Sequence, residues 1–306
     1  MIEASIDIGT NSVLLLVADI ANRKITVLNE MESVPRLGKG VDKKKTLDKE
    51  SQQRVLNVLL RYKAFLSENY PSTIKKTVVT ATSAVRDASN RDEFIKLIAQ
   101  ETDWNIQLLS GNQEAQTTYK GALSVLPDLK RSKNLVFDIG GGSTELAFGE
   151  GSKLTESVSI DMGSVRFTER FIKKYPPAEN SLVQLRNSVR NLLTENIRIQ
   201  KTFNLIGVAG TVTSVAAIHF GMRNYDSNVL NGAKIDQAVI RAFISKFSEM
   251  QPDEIEAMYP KFLTGRGEVI LAGLLIMDEI MTHFSKSEII VSTGGIRHGI
   301  LLKTKG

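Results

Sequence analysis

The sequence predicts an α/β protein built from two duplicated domains, on three observations. An Asp-x-Gly turn between two apolar strands occurs twice, as Asp7-Ile8-Gly9-Thr10-Asn11-Ser12 and as Asp138-Ile139-Gly140-Gly141-Gly142-Ser143. Strand-like apolar runs alternate with segments whose apolar residues recur at helical spacing. At 306 residues the chain also exceeds what one hydrophobic core usually serves.

In the first copy, the strands on either side of the turn cover 4–8 and 13–18, and 25–28 continues the sheet. Strand, turn, strand is a hairpin. A Walker loop or a dinucleotide fingerprint would instead run from strand straight into helix. The stretch 35–49 reads as a polar, basic loop whose Lys43-Lys44-Lys45 run is expected to be solvated surface. Helical spacing of Val55, Leu56, Leu59, Leu60 and Phe65 gives a helix over 50–70, stopped by Pro71. A strand at 77–82 follows, and Asn90-x-x-Glu93 reads as a capping box for a helix over 92–102. Ser110-x-x-Gln113 is a second capping box and starts a further helix.

After the second hairpin, Gly163 leads into a helix ended by Pro176-Pro177. Ser181-x-x-Gln184 is expected to cap a long helix reaching about Lys201. A strand at 204–208 turns through glycine into another helix. Helices are expected over 236–247, 252–258 and 267–284, the last largely apolar, followed by a strand at 288–292 and a terminal helix. The duplication sets the expected domains: 1–117 with 296–306, and 118–295.

Composition is that of an ordinary globular protein, 42% hydrophobic and 24% charged. The formal net charge of +5, from 39 basic and 34 acidic residues, permits an acidic substrate without requiring one. Nucleic acid is not an expected partner. Absence of cysteine excludes disulfides, thiolate catalysis and cysteine-based zinc sites. The apolar run 13–18 is too short to cross a bilayer, and acidic Glu3 and Asp7 precede it where a signal peptide would be basic. Cytoplasm is the expected location, with no membrane partner.

Chemistry concentrates at the turns. Successive backbone N–H groups of Gly140, Gly141, Gly142, Ser143 and Thr144 can wrap an anion, with glycine allowing positive φ. Asp138 and Glu145 flank this turn, and hard oxygen ligands beside a phosphate cradle suit Mg²⁺. Asp7, Gly9, Thr10, Asn11 and Ser12 repeat the pattern without the second acid. Arg86 follows a hydroxyl-rich loop and can grip phosphate oxygens. Glu114, in the first turn of its helix, is favoured as an ionised acceptor by the backbone dipole. Gly210 and Thr211 open a helix whose N-terminus suits phosphate. Arg166, Arg266 and Arg297 are candidates to guide a long anion. No G-x-S-x-G turn appears, and His219, His283 and His298 read as helix residues rather than catalytic groups.

Together, the two Asp-x-Gly hairpins, the 207–211 loop and the closing Gly294-Gly295 resemble the actin/Hsp70/sugar-kinase superfamily. Within it, 7–12, Ser110-Gly111-Asn112-Gln113-Glu114-Ala115 and 138–145 resemble the exopolyphosphatase/guanosine pentaphosphate phosphohydrolase family. The resemblance implies two ribonuclease-H-like (actin-like ATPase) domains with the active site in the cleft between them. It also implies Mg²⁺-dependent hydrolysis of terminal phosphoanhydrides, with inorganic polyphosphate and guanosine pentaphosphate as substrates. Glu114 then matches the catalytic base, Arg86 the phosphate-binding arginine, and Asp138 and Glu145 the acids near metal and water. Gln113 stands where many members have a second glutamate, and the helical domains that longer members carry after this point are not expected. Those domains shape dimers in such members, so a homodimer is left open. The competing expectations are an ATP-dependent kinase of the same superfamily and a non-catalytic polyphosphate or nucleotide sensor.

Overall fold

The computed structural model describes residues 1–22, 24–198 and 202–303. They fall into two compact units, Met1–Ser124 with Gly294–Gly306, and Val125–Thr293. Both are α/β, and each carries its own mixed sheet and its own core.

The first unit opens with β1 (Ile2–Ile8), β2 (Val13–Ala21) and β3 (Lys24–Ser33), then α1 (Val41–Lys44), α2 (Lys49–Asn69) and β4 (Thr77–Ala81). One turn of helix, α3 (Ser83–Arg86), leads to α4 (Arg91–Thr102), β5 (Ile106–Leu108) and α5 (Gly111–Ser124). The sheet order is β3-β2-β1-β4-β5. β1, β2 and β3 form an antiparallel meander, while β1, β4 and β5 run parallel. β1 lies between other strands and is buried almost throughout, so its alternating polar residues, Glu3, Ser5 and Asp7, are buried along with the apolar ones.

The start of α2 is set by Asp48, whose carboxylate accepts the Ser51 N–H at 2.8 Å, satisfying one of the orphan donors of a helix N-terminus. Its apolar stripe buries Val55, Leu59, Tyr62 and Leu66. The expected cap of α4 does not form. The Asn90 side chain instead bonds the N–H and carbonyl of Leu47, both at 2.9 Å, so a tertiary tie wins over the local cap. The Ser110/Gln113 capping box does form: Gln113 Oε1 accepts the Ser110 N–H at 2.9 Å and Ser110 Oγ accepts the Gln113 N–H at 3.3 Å.

The second unit repeats the plan with β6 (Lys133–Ile139), β7 (Thr144–Glu150), β8 (Lys153–Ile160), α6 (Ser164–Phe171), α7 (Glu179–Asn196), β9 (Asn204–Val208) and α8 (Ala209–His219). It continues through α9 (Ser227–Leu230), β10 (Lys234–Asp236), α10 (Gln237–Ser248), α11 (Pro252–Met258), α12 (Pro260–Leu263), α13 (Ile270–His283) and β11 (Glu288–Val291). The sheet order is β10-β11-β9-β6-β7-β8. Its β6-β7-β8 meander and parallel β6, β9 and β11 match the first unit, and β10 is an added antiparallel edge strand. α7 begins before Ser181, at Glu179, with no side-chain cap. Its expected end at Lys201 lies outside the described residues.

α13 is apolar on all sides, as a helix enclosed by neighbours should be. Its two acids, Asp278 and Glu279, are also buried. Arg186 Nη1 reaches both at 2.6 Å, Arg190 Nε reaches Glu279 at 2.6 Å, and Arg241 Nε reaches Asp278 at 2.9 Å. A buried carboxylate needs such partners to remain ionised.

The last helix, α14 (Ile296–Lys303), returns to the first unit against α5 and β1. A Cβ on Gly121 would stand 1.9 Å from the Gly295 carbonyl oxygen, and one on Gly299 would stand 1.9 Å from that of Thr117. α5 therefore stays with the first unit along its whole length. The division falls after Ser124 and again before Gly294, rather than after 117 and 295, because this close backbone packing carries α5 and Gly294–Gly295 along with it. Among the described residues no helix is long and apolar enough to cross a membrane.

Candidate active site

The second turn shows how a glycine run becomes an anion site. The Gly140 N–H closes the turn on the Ser143 carbonyl at 3.0 Å. The turn's other carbonyls are taken up by the start of α6. Ser164 N–H donates to Gly140 O at 2.9 Å, while Val165 and Arg166 N–H donate to Gly141 O at 2.9 and 3.0 Å. Arg166 Nε donates to Gly142 O at 2.5 Å. A trans peptide points its N–H opposite to its C=O, so the N–H groups of Gly141, Gly142 and Ser143 face away from α6. None of the three bonds to a described residue. The same bonds satisfy the first donors of α6, which has no side-chain cap.

The first turn is oriented in the same way by a different element. Gly9 N–H closes on Ser12 O at 2.9 Å. Gly38 N–H then takes Thr10 O at 2.7 Å, and Arg36 N–H takes Asn11 O at 2.9 Å. The Asn11 and Ser12 N–H groups therefore point away from the 35–38 loop. That loop was not legible as part of a site: its signal was the Gly38 and Gly40 pair within an apparently ordinary polar stretch. No glycine of either turn has positive φ, although glycine would allow it. Glycine is needed for space beside the turns instead, since a Cβ on Gly163 would stand 2.5 Å from Gly141 backbone and one on Gly38 would stand 2.2 Å from Thr10 Cγ2.

Around the second turn, Asp138 and Glu145 lie directly opposite each other across β6 and β7, and both are buried. Glu145 in turn pairs with Ser159 of β8, whose Oγ donates to Glu145 Oε1 at 2.6 Å. The equivalent pair in the first unit is Asp7 with Leu14, so only the second unit sets two acids face to face. Like charges in such a pair repel unless a cation or proton lies between them. Thr144, expected among the phosphate contacts, is fully buried and gives its hydroxyl to the Met162 carbonyl at 2.6 Å. As the first residue of β7 it fastens the turn from behind. Arg166, 5% exposed, likewise braces the turn through Gly142.

Asp7, the next-to-last residue of β1, is 9% exposed and accepts the Thr80 hydroxyl at 3.2 Å. Burial pushes its carboxyl up to about 6, against the lowering effects of Thr80 and nearby Arg297. Arg297 is not an anion guide. Its guanidinium donates to Leu15 O at 3.0 Å and pairs with Glu30 at 3.0 Å, with its side chain only 14% exposed. Its neighbour His298 is enclosed in α14, and burial together with Arg297 lowers it to about 3, so it is neutral.

Arg86, at the end of α3, and Glu114, in the first turn of α5, meet in the first unit. Arg86 Nη1 donates to Glu114 Oε2 at 2.8 Å and to Leu109 O at 3.0 Å. Glu114 is 5% exposed, and the charge-assisted bond holds its carboxylate in one orientation. In the second unit the Arg266 guanidinium lies against Gly210, where a Cβ would stand 1.8 Å from Nη1. Thr211 turns instead toward α13, against Gly273.

Known proteins resemble this chain in sequence and in fold. The Ppx/GppA phosphatase family model matches residues 16–305. A bifunctional 3-dehydroquinate synthase/phosphatase of Fusobacterium nucleatum is 36% identical over 312 residues, and the chain spans only 46% of that protein's length. Exopolyphosphatase 2 of Mycobacterium tuberculosis is 29% identical over 319 residues, covering 99% of this chain and 98% of its own. The crystal structure of the Aquifex aeolicus Ppx/GppA family member superposes with a TM-score of 0.82 at 30% identity, covering 99% of this chain and 97% of its own. By the extent of the family match and by its fold, the chain belongs to the Ppx/GppA phosphatase family.

Proposed function

We propose that this phosphatase-family protein is an exopolyphosphatase, releasing orthophosphate from the end of inorganic polyphosphate, with guanosine pentaphosphate as a second phosphoanhydride substrate. The observation that carries the reading is the second turn, where three successive N–H groups are held outward beside a cross-strand pair of carboxylates. Phosphoryl transfer to water asks for positioning and charge neutralisation more than covalent chemistry, and a rigid set of donors supplies the first.

In this reading the N–H groups of the two turns bind phosphate oxygens, with Ser12, Ser143 and Asn11 at their edges. Arg166 and Thr144 act indirectly, by keeping the second turn in shape. Gly210 and Arg266 provide a further anion contact at the start of α8. Glu114 orients the attacking water and accepts its proton, and the Arg86 guanidinium fixes the carboxylate that does so.

The donor set also fits Mg²⁺. Among the described residues no three histidine, aspartate or glutamate side chains gather as a metal cage. Mg²⁺ typically takes one or two carboxylates and completes its shell with water and phosphate oxygens. Asp138 and Glu145 would hold it, and the ion would neutralise charge on the phosphate oxygens.

The test is phosphate release from polyphosphate with Mg²⁺, comparing wild type with Glu114→Gln. Loss of a general base should lower the rate by about 10²–10⁴-fold while polymer binding persists. Equal rates would remove Glu114 from the mechanism. Polymer binding without release by either protein would leave a sensor, and transfer of phosphate from ATP to a small acceptor would favour the kinase reading.

A further inference from the structure

The lysine run after the first turn reads in sequence as ordinary solvated surface, but the fold gives it a fixed place. The segment is fastened to the first turn through Arg36 and Gly38. Arg54 Nε holds Pro35 O at 2.8 Å, Ser89 N–H holds Lys45 O at 2.8 Å, and Asn90 holds Leu47 at both backbone atoms. Leu37, Val41 and Leu47 are buried. What remains outside is of one kind. Every exposed residue from 39 to 49 is a lysine: Lys39, Lys43, Lys44, Lys45 and Lys49.

Of the two acids in the same stretch, one faces a ridge lysine and the other faces a helix. Asp42 is half-buried, 3.8 Å from Lys45, and Asp48 caps α2. Lys43, Lys44 and Lys45 are consecutive, so they crowd positive charge on a pinned backbone where physiological salt screens only beyond ~8 Å. Among the described residues, the ion pair to Asp42 offsets Lys45. Such a ridge suits a polyanion, whose binding releases counterions.

We propose that this lysine ridge is a binding subsite for the distal phosphates of an inorganic polyphosphate chain whose end lies on the first turn. It would set a preference for long chains over short ones. This rests on the exopolyphosphatase reading above. Lys39 adjoins Gly38, which bonds the turn directly, and Lys43 lies five residues on, no more than about 18 Å of chain away. Lysine is a compact, mobile point charge, suited to a flexible chain of identical anions that presents no fixed geometry. Single-stranded RNA is the weaker fit, because its binding sites add aromatic platforms for bases and 36–49 contains no aromatic residue.

The test replaces Lys39, Lys43, Lys44 and Lys45 together by Gln, with the fourfold Arg replacement as a charge-preserving control. Turnover reads the ratio of kcat/KM for long-chain polyphosphate over tripolyphosphate. Binding reads the dependence of affinity for long-chain polyphosphate on salt. The Gln variant should lose at least about tenfold in the ratio, and its log–log salt slope should fall by about two to three, while the Arg variant keeps both. An unchanged ratio and slope would overturn the ridge. So would tighter binding of a single-stranded RNA of equal charge that the Gln variant loses instead. Wild type that binds polyphosphate with the full salt slope but releases no phosphate would refute the exopolyphosphatase reading alone.

Discussion

Asp7 stands at the entrance to the first turn, and its burial makes a stability experiment quantitative. Its carboxyl is raised from 3.8 to about 6, mainly because burial disfavours the charged form. A shift of about two units corresponds to about 3 kcal/mol between the two protonation states. Below about pH 3 the carboxyl is protonated in both folded and unfolded chains, and its contribution to stability is complete. As pH rises toward 6 the unfolded chain releases its proton first, so the native state holds more protons and stability falls, levelling off above about 6. Asn fills the same space and cannot ionise. The Asp7→Asn protein should therefore gain about 3 kcal/mol relative to wild type between pH 3 and pH 7. Groups shared by both proteins cancel in the difference. Urea unfolding followed by Trp104 reports this directly, because it is the chain's single tryptophan and packs against the first unit's core. A wild-type–variant difference that stays constant across this range would refute the burial argument. Phosphate release at pH 7 should fall in the same variant, since stability gained at a binding position is commonly paid for in function.

Three further substitutions test the geometry. Gly163→Ala would press a Cβ into Gly141 and Gly142 and shift the second turn; polyphosphate affinity should drop at least tenfold, with about 1–3 kcal/mol of stability lost to overpacking, and unchanged affinity would detach the turn from binding. Gly121→Ala should cost about 1–3 kcal/mol through its overlap with the Gly295 carbonyl. Helix propensity alone would instead add about 1 kcal/mol, so a neutral or stabilising result in Trp104-monitored unfolding settles the sign against close packing. Glu279→Gln should cost about 1.5–3 kcal/mol by removing the carboxylate charge that Arg186 and Arg190 bond, with Arg186 keeping its bond to Asp278, measured by far-UV circular dichroism in urea. Burial alone would raise the neighbouring Asp278, yet bonds from Arg186 and Arg241 hold it below the usual range. Its stability contribution is thus present above pH 4 and lost as pH falls through the native value.

The duplicated hairpins were legible because a short apolar strand on each side of an Asp-x-Gly turn admits few other folds. The Ser110/Gln113 box was legible because both partners lie within one turn of helix. Where distant partners decide the outcome, the local signal fails. Asn90 reads as a cap until Leu47 claims its side chain. Arg297 reads as a surface cation until Glu30 and the Leu15 carbonyl enclose it. Arg86 and Glu114 were separate candidates, and nothing in their spacing indicates that one carries the other. The acid pair Asp138 and Glu145 follows from hairpin register and could be read directly; Ser159, which completes the row, needs the third strand.

The orientation of the turns is the deepest of these cases. Glycine content permits a row of N–H groups to point one way but does not choose the direction. That choice belongs to whatever takes the carbonyls. In the second unit the taker is the N-terminus of α6, and room for it comes from glycine on both sides, Gly163 against Gly141 and Gly142. In the first unit the taker is the 35–38 loop, and the room comes from Gly38 alone, so the turn itself can carry Thr10 and Asn11. Two turns of different sequence thus both hold donors away from the element that takes their carbonyls, three in the second turn and two in the first. Glycine count in the turn is therefore a poor guide to anion binding, whereas loss of Gly38 or Gly163, neither of which belongs to a turn, should disable the donors as surely as loss of a turn glycine.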